Sequence, residues 1–128
     1  MKYSKLVSLK KKKLALISEY DKSQAVNSFL LNGSHVWLDK ATRVGLVNSL
    51  NAEKLVGYTT TTLWLEGISY TIPIDVALQM LIILEVYAKE CYNITEIHKA
   101  SINAETDINR VYNYNYTKGY PERPTFNV

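Results

Sequence analysis

Two dipeptides, Asn32-Gly33 and Glu66-Gly67, constrain this chain more than any other feature. Each lies between short runs of apolar and β-branched residues. Asn-Gly readily takes the two positive-φ positions of a type I′ turn, whose twist suits the strands of a β-hairpin. The first hairpin is expected over residues 29–38. The second runs from 59–65 through its turn and back along 68–72, where Pro73 ends the strand. An aspartate follows each hairpin, and both Asp39 and Asp75 are placed to cap a helix by accepting first-turn amides.

The helix after Asp39 carries Ala41, Val44, Val47 and Leu50 and is expected to stop near Gly57. The helix after Asp75 is the longest, over 76–104. Its apolar seam is Ala77, Met80, Leu81, Leu84, Tyr87, Ala88, Cys91, Ile94 and Ile102, with Asn93 marking a kink. A helix over 5–20 precedes both hairpins, with Leu6, Leu9, Leu16, Ile17 and Tyr20 at helical spacing. A short helix is expected near 106–112, and Gly119-Tyr120-Pro121 reads as loop. The fold expected is α+β: two β-hairpins forming a small antiparallel sheet, packed by an N-terminal, a middle and a long C-terminal helix. The two hairpin-then-helix halves look like a structural duplication, each with a tryptophan on a strand, Trp37 and Trp64, both assigned to the core.

The 128 residues are enough for one domain with a real core. Seven of the 15 basic residues lie in 1–22, opposed there by only Glu19 and Asp21. The rest of the chain is mildly acidic, so the net charge of +3 comes from that segment alone. The division expected is a basic N-terminal helix or arm over 1–22 and a single α+β domain over 23–128 with a tyrosine-rich tail. A body of that charge argues against a nucleic-acid-binding fold. No apolar run reaches the roughly 18–20 residues of a membrane span, and no secretory signal is read, so no membrane association is expected. One cysteine, Cys91, allows no internal disulfide.

Several segments together carry a resemblance. They are 25–29 (AVNSF), 36–43 (VWLDKATR), 60–64 (TTTLW), 84–88 (LEVYA), 91–93 (CYN), Thr95, 98–100 (HKA) and 116–122 (YTKGYPE). In these the chain resembles an uncharacterised domain family of tail-fibre and fibre-associated proteins of phages infecting Bacteroidales, including crAss-like phages. The likeness covers residue 20 to the end. It implies a virion structural protein, made in the bacterial host cytoplasm: a fibre component, or an adaptor docking to other head or tail proteins. Its implied partners are other virion proteins and further copies of itself, as a homo-oligomer with trimers among the forms. The alternatives are an assembly chaperone missing from the finished particle and a receptor- or glycan-binding fibre tip. In relatives the domain usually closes a longer fibre chain, whereas this sequence opens on Met1 and is expected to be a free-standing copy.

No catalytic residues, cofactor or metal are expected. Cys91 and His98 lie seven apart on one helix, about 10 Å along its axis, whereas a nucleophile and its base must approach to about 3 Å. Both are read as seam residues. His35, Cys91 and His98 have no CxxC or HxxxH spacing for zinc, and Glu85 is read as a structurally paired acid. The candidate protein-docking residues are Lys10, Lys11, Lys12 and Lys13, together with Tyr112, Tyr114, Tyr116 and Tyr120. Four successive lysines wrap most of a helix and forbid deep burial there. The tyrosines offer broad apolar faces with a polar tip, suited either to an interface or to wrapping back over their own domain.

Overall fold

The computed structural model describes residues 2–128, with side chains from Ser4 onward. The order is α1 (Lys2–Lys22), β1 (Phe29–Leu31), β2 (Ser34–Val36), α2 (Lys40–Leu55), β3 (Thr60–Leu65), β4 (Ile68–Pro73), α3 (Ile74–Ala104), α4 (Ile108–Tyr112) and β5 (Thr125–Phe126). The protein is α+β, with an N-terminal helix and a long α3, as its sequence pattern predicts. The chain gathers into two compact units, Met1–Asn27 with Lys89–Glu122, and Ser28–Ala88 with Arg123–Val128. The boundary expected at residue 22 is not one of these divisions. α1 is no separate arm, because Ile17 on its apolar stripe is fully buried with Ile102 and Val111.

In the unit built on Ser28–Ala88, both hairpins turn where the dipeptides require. Asn32 and Gly33 take φ of 49° and 84°, and Glu66 and Gly67 take 52° and 76°, so each turn occupies the left-handed region at both central positions. The hairpins do not share one sheet, however. Among the described residues β3 pairs only with β4, while β1 lies between β2 and β5, the latter parallel to β1 through Leu30↔Thr125 and Leu31↔Phe126. β5 lies beyond the Gly119-Tyr120-Pro121 loop, where the sequence pattern predicts no strand. It is held by backbone bonds from Leu30 N to Pro124 O and from Asn32 N to Phe126 O, both 2.9 Å. Phe126 there meets Phe29 edge-on, with ring centroids 5.7 Å apart.

α2 starts as expected. The Asp39 carboxylate accepts the Thr42 amide at 2.8 Å, and that bond, with the Arg43 charge adding to it, holds its carboxyl below the usual range. Asp75 is not a cap: α3 begins one residue earlier, at Ile74, whose amide donates to Thr59 O at the end of the β3–β4 ladder. Asp75 sits in the first turn, where a negative charge suits the helix dipole, and pairs with Lys54 on the surface. α3 is helical without interruption at Asn93. The core of this unit gathers Phe29, Leu31, Leu50, Leu63, Leu65 and Ile72 with Ile74, Ala77, Met80, Leu81 and Leu84 from α3. The i, i+3, i+4 spacing of the α3 residues puts them on one face.

The other unit is built from α1, the α3 segment from Lys89, α4 and the loop to Glu122. Asp107 caps α4 through the Asn109 amide at 2.8 Å. The inward positions Cys91, Thr95, His98 and Ile102 continue the helical period, two of them with polar side chains.

Candidate functional site

Those two polar positions tie down the tyrosine tail. His98 Nε2 lies 2.7 Å from the Lys118 carbonyl and Nδ1 2.7 Å from the Tyr114 hydroxyl. A carbonyl only accepts, so Nε2 carries a proton and donates, and in the neutral ring Nδ1 accepts from Tyr114. Thr95 Oγ1 stands 2.7 Å from both an Asp21 carboxylate oxygen and the Tyr120 hydroxyl. The carboxylate must receive the threonine proton, so Tyr120 donates to Thr95 and the bonds run one way, Tyr120 to Thr95 to Asp21. Tyr20 closes the group with ring contacts to Tyr116 and Tyr120 at 5.8 and 5.6 Å. Substituting His98→Phe keeps a ring but strips the partners from a carbonyl and a hydroxyl. It is expected to lower stability by about 1–3 kcal/mol in denaturant titration, with faster amide exchange in 113–122.

Burial pushes the Tyr120 phenol above its ordinary value, and the nearby Asp21 carboxylate pushes the same way. A raised folded value means that the protonated phenol stabilises the fold. That contribution is complete below pH about 10, where an unfolded tyrosine ionises, and is lost as pH rises through the folded value. Following phenolate absorbance should show this tyrosine ionising above the pH of an exposed one. Its ionisation should coincide with loosening of 113–122, and Tyr120→Phe should abolish that coincidence.

Five of the eight candidate docking residues are therefore engaged within their own unit. Tyr114 and Tyr116 pack against the Ile17–Ile102–Val111 cluster, and Tyr120 is bonded to Thr95. Lys10 Nζ donates to Asn103 O, and Lys13 Nζ donates to Tyr114 O while lying over the Tyr116 ring. Lys11, Lys12 and Tyr112 stay exposed, and Lys12 lines a shallow groove with Ser4, Lys5, Ser8, Leu9 and Ile108. His98 has both ring nitrogens occupied, so it offers Cys91 no base. Among the described residues no group of three or more His, Cys, Asp or Glu side chains could hold a metal ion.

No family model, curated protein or solved structure matches the chain.

Most of the exposed large hydrophobic side chains among the described residues belong to the unit built on Ser28–Ala88. Trp64, assigned to the core from sequence, is 71% exposed. Side chains of a strand alternate, and Thr61, Leu63 and Leu65 take the buried face, so Trp64 must take the other. The Leu63/Leu65 alternation carried that signal. Trp37 is half-buried against the core, edge-on to Tyr87 at 6.3 Å. Nearby, Val44 and Val47 of α2 with Leu81 and Ile82 of α3 line an apolar groove of about 230 Å³, to which Arg43, Asn48 and Glu85 also contribute. Val44, Ile82 and Val86 are about half-exposed.

Arg43 anchors that groove, and nothing in its sequence neighbourhood marked it as buried. Its Nη1 donates to Leu38 O at 2.6 Å, its Nε donates to Glu85 at 3.1 Å, and its guanidinium lies over the Trp37 ring at 5.3 Å. Glu85 is thus a paired acid, as its place beside the seam suggests.

Proposed function

We propose that the chain is a protein-docking module and, following its resemblance to fibre-associated phage domains, a structural component of a phage virion. It would serve as a fibre component or an adaptor seated on other head or tail proteins, without catalysing a reaction. The observation that favours docking is the set of large apolar side chains left in solvent, most of them on the unit built on Ser28–Ala88. Trp64 stands out among them, with Val44 and Ile82 lining the α2–α3 groove and Val86 also exposed on α3. Tryptophan is among the residues most enriched where protein interfaces are tightest, and contiguous apolar surface on a monomer commonly marks such a site. The exposed Lys11 and Lys12 add a positively charged surface suited to an acidic partner.

Quantitative mass spectrometry of purified particles tests this reading. A fixed ratio of this chain to the major capsid protein is expected, and the ratio itself would indicate a vertex, tail or fibre position. Abundance in infected cells with absence from particles would overturn it in favour of an assembly factor.

A further inference from the structure

We infer that two copies of this chain associate through the free edge of β3, each β3 pairing antiparallel with the other across a two-fold axis. The inference deepens the docking reading by naming a second copy as one partner, and it starts from the phase of the β3–β4 ladder. A two-residue turn makes Leu65 and Ile68, which are opposite each other, a hydrogen-bonded pair. The bond from Ile74 N to Thr59 O, at the far end of the same register, has the same phase. Thr61, Leu63 and Leu65 therefore direct their backbone groups at β4. The N–H and C=O groups of Thr60, Thr62 and Trp64 point to the opposite edge. Among the described residues β3 pairs with no other strand. An open concavity of about 500 Å³ lies beside its first half, lined by Glu53, Gly57, Tyr58 and 59–62.

Edge strands of monomeric proteins are guarded by charges, prolines or bulges. On β4 one outward position is Pro73, which has no N–H to offer. Residues 59–65 hold no charge and no proline, and the register across β3 is unbroken, so the strand itself carries none of these devices; the charge beside it is that of Glu53, which is engaged by the Thr61 hydroxyl at 2.9 Å.

The same strand is complementary to itself. Antiparallel pairing centred on Thr62 sets Thr62 against Thr62 and Thr60 against Trp64. These are threonine–threonine and aromatic–β-branched pairs, which stabilise a sheet, and none of the three sets like charges against each other. The three pairs exchange about six backbone bonds and join two marginal ribbons into a sheet of order β4-β3-β3-β4. Such an interface is isologous and closes at two copies, so it cannot by itself build a trimer.

Sedimentation of the full chain tests this with three proteins: wild type, Thr62→Lys and Thr62→Glu. Thr62 is exposed and makes no backbone bond to β4, so circular dichroism should show both variants folded. Wild type is expected at twice the 14.6 kDa chain mass. Each variant alone should dissociate at least about ten-fold more readily, because like charges then face each other across the axis. Mixing the two should restore the two-chain species. A wild-type monomer, a trimer, a dimer indifferent to both substitutions, or a mixture that fails to recover would each overturn the proposal. The solution mass is read without particles, so this inference and the virion assignment can fail separately.

Discussion

Phe29→Ala is expected to lower stability by about 3–5 kcal/mol, the largest effect of any single substitution proposed for this chain. Phe29 is fully buried and, among the described residues, is the largest of the fully buried side chains. It stands on the central strand of the β2-β1-β5 sheet, opposite Val36 on one side and edge-on to the Phe126 ring on the other. Truncation leaves a cavity where a ring was and removes an aromatic pair worth about 0.5–1.5 kcal/mol beyond its area. A change of that size is a large share of the roughly 5–15 kcal/mol that holds a typical domain folded. Phe29→Leu, which keeps most of the volume, should cost well under half as much. Urea titration gives both numbers. Amide exchange should show the parallel β1–β5 pairing failing first, since two residues of β5 depend on it.

Arg43→Ala is expected to cost about 2–4 kcal/mol. The Arg43 side chain is only 6% exposed, whereas that of Glu85 is 49% exposed. Losing the arginine strands the Leu38 carbonyl without its 2.6 Å donor and removes the cation from the Trp37 face. Losing the glutamate charge, by Glu85→Gln, should cost less than about 1 kcal/mol, because a half-exposed carboxylate is well solvated and screened. Arg43→Lys should not rescue, since a lysine lacks the planar fork that reaches Leu38 and Glu85 together. The asymmetry is the result to look for. Equal losses from Arg43→Ala and Glu85→Gln would mean that the ion pair, and not the buried bond to Leu38, carries the energy.

The parts of this protein legible in its sequence are those decided within a few residues. Asn32-Gly33 and Glu66-Gly67 turn where they stand because a left-handed pair is a local backbone preference. Asp39 caps α2 because its carboxylate reaches an amide three residues on. The α3 seam is legible in its spacing: Ala77, Met80, Leu81, Leu84, Tyr87, Cys91 and Ile102 are buried, and Ala88 and Ile94 at its edge are half-buried. The exposure of Trp64 is legible too, in the parity set by Leu63 and Leu65 on either side of it. Asp75 shows where local reading stops. It has the chemistry of a cap, but the β3–β4 ladder reaches Ile74 and brings the helix in two residues early.

The tertiary structure alone decided which lysines and tyrosines remain available for a partner. Lys10 and Lys13 end on carbonyls 93 and 101 residues away, and Tyr120 on a threonine 25 residues back. A four-lysine run looks the same in sequence whether its members are solvated or docked. The tertiary structure also decided that the hairpins lie in separate sheets, with β1 drawing in β5 from the far end of the chain. Turns, caps and helical periods stabilise segments of a few residues and leave their mark in those residues. Pairings such as Leu30 with Thr125 must first overcome the entropy of closing a long loop, so they depend on what the rest of the chain has already brought together.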